Sequence, residues 1–160
     1  MPTNAKILKK ELRKLFETQI VGGARKFTQH VGETIIEGVV TKTAVAFGEA
    51  RGGWIVGLHR RPANPGTLPN DTNGARTISR GRAVLRRMRG IQAIHVTNFT
   101  VQADILENGR FSPPDPGPSK RGHPPGQRVG QILVSGGYST QSPQGMVAVT
   151  LEEVRTQFGP

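Results

Sequence analysis

The chain has no cysteine among its 160 residues, which excludes disulfides and thiolate metal sites. Aromatic residues are few: one Trp, one Tyr and six Phe. Single-strand nucleic-acid binders interleave such rings with basic groups to stack bases, and this chain lacks them. No apolar run approaches the roughly 20 residues that span a bilayer, so no membrane partner is expected. The opening "MPTNAKILKKELRKLF" is basic, without the unbroken apolar stretch and cleavage site of a secretion signal; use or assembly in a cytoplasm is expected. Between Ala50 and Ala103 nine arginines stand with a single acid, Asp71. Leu, Ile, Val and Phe total 39, a share only slightly above the roughly one-fifth at which a highly charged chain reads as disordered.

What is present fits one domain over residues 1–160, with a lean core and extended arms of the kind that neighbouring subunits stabilise. The formal net charge is +11. It suits DNA, RNA, an anionic membrane or an acidic protein face, with a merely solubilising surface as the plain alternative.

Hydrophobic spacing predicts a helix over residues 4–20, where Ile7, Leu8, Leu12, Leu15 and Phe16 recur between Lys and Arg. "VGG" at 21–23 is expected to interrupt it, and a second helix to run from Thr28 to Phe47. "GWIVGL" (53–58) reads as a strand, and the prolines at 62, 65 and 69 make 59–74 a loop. Over 75–89 the turn of about 100° per residue places Ile78, Gly81, Val84, Leu85 and Met88 on one face. Arg76, Arg80, Arg82, Arg86, Arg87 and Arg89 fall opposite, so this helix is expected to show a wholly positive face to solvent or to an anionic neighbour. Residues 91–109 alternate as two strands joined near Asn98 to Thr100, and 129–134 as a further strand. Ser142 as N-cap and Pro143 at the first position predict a C-terminal helix, with a strand at 146–150 as the alternative. The fold class is α+β: a small, mostly antiparallel sheet framed by N-terminal, central and C-terminal helices.

Chemical motifs are sparse. The histidines at 30, 59, 95 and 123 show no zinc spacing, His95 reading as a core or interface residue and His123 as solvated. No nucleophile elbow and no phosphate-cradling G-x-x-x-x-G-K-[ST] loop occurs. Asp104 and Glu107 are close enough for acid–base or metal work, but surface strand positions are the simpler reading. Gly52, Gly53, Gly136 and Gly137 read as turns or close contacts, and Trp54 as a core anchor. No catalytic role, cofactor or metal is expected.

Four blocks carry a resemblance. "TAVAFGEARGGWIVGL" (43–58) resembles the T-P-V-D-T-G-x-A-R-G-N-W-x-V pattern of bacteriophage neck and tail-completion proteins, similar to the minor tail protein Z group of lambdoid long-tailed phages. "NGARTISRGRAVL" (73–85) resembles the family's G-A-A-T-I-x-x-G-x-A helix. "IHVTNFTVQADILENG" (94–109) resembles its T-N-N…L-E-x-G block, and "GGYSTQSPQGMVAVTLEEV" (136–154) its G-x-S-x-Q-A-P-x-G-M-V block. The matched residues are Arg51, Gly52, Trp54, Thr97, Asn98, Leu106, Glu107, Gly109, Gly145 and Met146. The family's acid in the first block is Ala46 here, and its Tyr in the third is replaced near Gln102 and Ala103.

The resemblance implies a structural virion protein at the head–tail junction, forming a cyclic homo-oligomer of six copies, or else twelve, around the DNA channel. It implies adjacent head-completion or connector proteins, tail-terminator or tail-tube proteins, and non-specific contact with genomic DNA. The virion would be its final location and the host cytoplasm its place of assembly. A free basic nucleic-acid-binding protein is the alternative from another class. Relative to the family, Gly109 and Gly136 are separated by 26 residues, 110–135. This Pro/Gly-rich segment reads as an insertion at a hairpin tip, with Phe111, Lys120, Arg121 and Arg128 as candidate contacts to a neighbouring subunit or ring. Long loops in compact domains usually have a use or are disordered.

Overall fold

A computed structural model describes residues 4–45, 48–109, 134–135, 138–139 and 141–159. The candidate contacts Phe111, Lys120, Arg121 and Arg128, most of the 110–135 segment, Ala46, Gly136 and Gly137 lie outside the described residues.

The first 39 described residues form one helical run. It comprises α1 (Asn4–Leu15), a wider π-helical turn (Phe16–Val21) and α2 (Gly22–Lys42). The expected break at "VGG" does not occur. The π turn absorbs the strain, because Gly22 N–H reaches back five residues to the Glu17 carbonyl and the backbone stays satisfied through the glycines. The run ends at Lys42, short of the expected Phe47. Thr43 turns to an extended conformation, with its N–H and hydroxyl both donated to the Val39 carbonyl, at 3.1 and 2.6 Å.

The fold is α+β. A single helical turn, α3 (Glu49–Gly52), leads into β1 (Trp54–Leu58), which pairs antiparallel with β2 (Ile94–Asn98), Trp54 opposite Asn98 and Leu58 opposite Ile94. Between them lies α4 (Ala75–Leu85). The predicted strand after Asn98 is instead a helix, α5 (Val101–Asn108). Asn98 Oδ1 accepts from the Thr100 N–H and hydroxyl and turns the chain out of the sheet, and Ala103 and Leu106, three apart, are buried together. The two-residue strands β3 (Val134–Ser135) and β4 (Tyr138–Ser139) pair antiparallel, and α6 (Val147–Phe158) closes the chain. The 110–135 segment therefore follows a helix rather than a hairpin strand, and its flanks meet, Tyr138 covering Gly109.

The core lies where α2 crosses α4, α6 and the β1–β2 pair. Ile36, Val39, Val40, Leu85, Leu106 and Met146 are fully buried, with Trp54 and Val56 from β1 beside them. Each such side chain contributes about 1.5–3 kcal/mol on leaving water. Two glycines set the helix spacing. A Cβ on Gly81 would come within 2.8 Å of Ile36, and one on Gly38 within 2.5 Å of Thr150, so α4 and α6 approach α2 more closely than larger residues allow. The apolar face read on α4 is the buried one: Gly81, Leu85 and Met88 are buried, with Ile78 and Val84 half-buried.

Gly81→Ala should therefore lower stability by about 1–3 kcal/mol through overpacking, despite alanine's better helix propensity. Gly23→Ala, where a Cβ meets nothing within 4 Å, should raise it by up to about 1 kcal/mol. Urea unfolding of the two variants checks the pair.

Candidate assembly surface

Helix ends leave backbone groups without partners inside the helix, and here side chains from the four sequence blocks supply them. Arg51 closes the C-terminal end of α2. Its guanidinium donates to the Thr43 carbonyl at 2.8 Å, the Thr41 carbonyl at 3.3 Å and the Thr72 carbonyl at 2.5 Å. A cation there also complements the helix dipole. Burial draws Arg51 below its ordinary value, while the charge of Asp71 opposes that shift. Trp54 donates its indole N–H to Thr43 Oγ1 at 2.8 Å, and Asn98 Nδ2 donates to the Ala50 carbonyl at 2.7 Å. Gly52 is buried so tightly that a Cβ would overlap the Pro69 carbonyl.

Asp71 does the converse at the start of α4. Its carboxylate accepts from Thr77 N–H at 2.7 Å and Gly74 N–H at 3.0 Å. Burial pushes the Asp71 carboxyl up, but the Thr77 hydroxyl, those two N–H groups and the Arg76 charge outweigh it and hold the group below its ordinary value.

Glu107 caps α6 from α5. Its carboxylate accepts from the N–H groups of Met146 and Val147 at 2.8 Å and Ala148 at 3.0 Å. The helix thus begins at Val147, and the expected cap at Ser142 with Pro143 is not used. Ser142 is buried and donates its hydroxyl to the Lys42 carbonyl instead. Gly145, at φ +78°, sits where a Cβ would press on Glu107. Neither Glu107 nor Asp104 is a strand residue, and Glu107 is a capping group rather than a bare surface acid. Thr97 stands on β2 opposite Ile55. His95 is half-buried on β2 opposite Gly57. Among the described residues no three His, Asp or Glu gather as metal ligands.

The arginine helix does not present one uniform positive face. Arg80 donates to the Gly52 and Trp54 carbonyls, both at 2.9 Å, fastening α4 to the start of β1. Arg82 pairs with Glu37 at 2.5 Å. Arg76 is exposed beside Asp71, and Arg86, Arg87 and Arg89 are exposed at the far end. The helix itself stops at Leu85, a turn carries Arg86 and Arg87, and Arg89 follows in irregular chain.

The largest candidate contact surface comes from the N-terminal helix. Every residue from Ala5 to Ile20 is exposed, including Leu8 at 61%, Leu12 at 56%, Leu15 at 58% and Phe16 at 58%. The periodicity of these residues revealed the helix but not that, among the described residues, nothing packs over this face. Comparison with protein-family models, curated proteins and solved structures gave no match for this chain.

Glu107→Ala should cost about 2–3 kcal/mol, since a buried donor at Met146, a half-buried one at Val147 and an exposed one at Ala148 lose a charged acceptor; chemical unfolding measures the loss. Asp71 generates an acid dependence. Its folded-state value is depressed, so the unfolded chain binds the proton more readily. Its stabilisation is complete above the unfolded value of about 3.9 and is lost as pH falls through the lower folded value. Stability measured from pH 5 downward should fall less steeply in Asp71→Asn, which starts from a lower plateau.

Proposed function

We propose that this chain is a structural subunit of a tailed-phage head–tail junction, a neck or tail-completion component assembled as a cyclic homo-oligomer around the DNA channel. The observation that carries this reading is the interlocking of the four blocks that resemble the phage family. Arg51, Trp54, Asn98, Glu107, Gly145 and Met146 come from three of them and meet in one set of helix-end contacts. Arg80, from the remaining block, ties into the same set through Gly52 and Trp54. The pattern of the resemblance thus has a physical rationale in this chain: it is the set of residues that this arrangement of helices requires.

Two further features support an assembly role. An exposed apolar helix face of this size is unusual in a monomer, where large apolar patches mark interaction sites. The exposed Arg86, Arg87 and Arg89 extend the positive surface and form no ion pair among the described residues. Charge of this kind guides partner choice and association more than it adds affinity. Its targets in the proposed setting are acidic faces of adjoining rings or the passing genome.

Particles of the phage encoding this chain should carry it at the head–tail junction, seen by antibody labelling, and loss of the chain should leave filled heads and tails unjoined. Absence of the protein from purified particles would sink the proposal. A monomer that binds duplex DNA with a steep salt dependence would favour the free nucleic-acid-binding alternative.

A further inference from the structure

The N-terminal helix has a built amphipathic face that no other described residue covers. On α1, Ala5, Leu8, Leu12, Leu15 and Phe16 fall within about 100° of arc at about 100° per residue, all exposed. Lys6, Lys9, Lys10, Arg13 and Lys14 lie on the remaining circumference with a single acid, Glu11. From Asn4 to Val21 the run measures roughly 27 Å at 1.5 Å per residue. It runs unbroken into α2, whose first turns meet the end of α6: Phe27 and His30 pack edge-on against Phe158, with ring centroids 5.7 and 5.3 Å apart. The arm therefore joins the body beside the C-terminal end of α6.

The complementary surface runs along α6 itself. The outer side of α6 carries a shallow groove lined by Ala148, Val149, Glu152, Glu153 and Thr156, with Leu151 beside it, 50% exposed. Glu152 and Glu153 are the only adjacent pair of acids in the chain. Their present partners are surface contacts, Glu153 with Lys42 at 2.6 Å and Glu152 with Arg155 at 4.0 Å. Such exposed pairs contribute little and exchange readily.

We infer that α1 of one subunit docks on the outer face of α6 of a second copy, its leucines and Phe16 over Ala148, Val149 and Leu151 and its lysines facing Glu152 and Glu153. The inference rests on the proposed cyclic homo-oligomer and names the contact that would build it. Arm and groove are different patches, so the contact is heterologous, the type that generates a ring when its rotation closes. The root of the arm suits this use. The π turn and the adjacent Gly22 and Gly23 are where a helix yields with the least resistance, so one arm geometry can be adjusted to close a ring.

The test uses the full chain. Wild type at tens of micromolar should sediment as a closed oligomer, and Leu8→Glu/Leu12→Glu should sediment at least tenfold more weakly associated. Its circular dichroism should be unchanged, because these side chains are exposed in the protomer, and its melting should match that of wild type once both are diluted to monomer. Lys9→Glu/Lys10→Glu and Glu152→Lys/Glu153→Lys should each weaken association, and combining all four reversals should restore it. An oligomer that survives the leucine changes overturns the arm contact while leaving a ring built by other surfaces. Weakening by the leucine changes without restoration in the fourfold variant overturns α6 as the acceptor. A monomeric wild type that moves onto phosphatidylserine vesicles, and loses this with the same leucine changes, overturns the contact in favour of a membrane surface. None of these outcomes bears on whether the chain is found in phage particles, which is read independently.

Discussion

The folded body depends on satisfying helix ends inside a core too small to hide them. Three helix termini converge near Trp54 and Met146, with the hydrogen bonds to their capped backbone groups ranging from buried at Gly74 and Thr77 to half-buried at Thr43 and Met146. An unpaired buried N–H or C=O costs about as much as a lost hydrogen bond. Arg51, Asp71 and Glu107 meet that requirement, each reaching from a different part of the chain and each with the charge the local dipole favours. Arg80 serves α3 and β1 in the same way. These four charges are structural. They tie sequence-distant segments into one body with contacts that a lean apolar core, with about a dozen buried hydrophobic residues, does not supply alone.

That division changes how the positive charge is understood. Arg51, Arg80 and Arg82 are engaged with carbonyls or with Glu37, so among the described residues the exposed positive charge lies chiefly on the N-terminal arm, at the α4 end and at Arg60 and Arg61 after β1. Reversing Arg80 would disturb β1 as well as the surface charge, whereas Arg87 is exposed and offers a cleaner probe of the surface alone.

The sequence conveyed periodicity well and partnership poorly. The apolar face of α4, the strand around Trp54 and the C-terminal helix could be read because burial leaves its period in the chain. The segment after Asn98 was misread as a strand because V-Q-A-D-I-L-E-N satisfies both periods over so few residues. What decided it was an Asn98–Thr100 turn and a left-handed Gly109 at the far end. Ser142 looked like a helix cap by local grammar, yet Glu107, 40 residues upstream of Val147, took that role. A cap supplied from another element has no local signature. The same limit hid the uneven use of the arginines, since the wheel gives direction but not what lies opposite. The arm's amphipathicity was visible, and its exposure among the described residues was not.

Magnitudes explain why such an arm favours a ring over a pair. Leu8, Leu12, Leu15 and Phe16 are each a little over half exposed, so covering them yields about 1–2 kcal/mol apiece, about half the value of full burial. The total is of the same order as the roughly 4–15 kcal/mol of freedom lost when two molecules associate. One arm in one groove is therefore near balance, and an open pair is weak. A closed ring contains one more contact than the number of association steps that formed it, so its final contact carries no further loss of translational freedom. An arm docked as proposed would stay reversible during assembly and hold once the circle closed, while mutual repulsion among protomers of charge +11 would oppose closure until acidic neighbours or counterions collected around them.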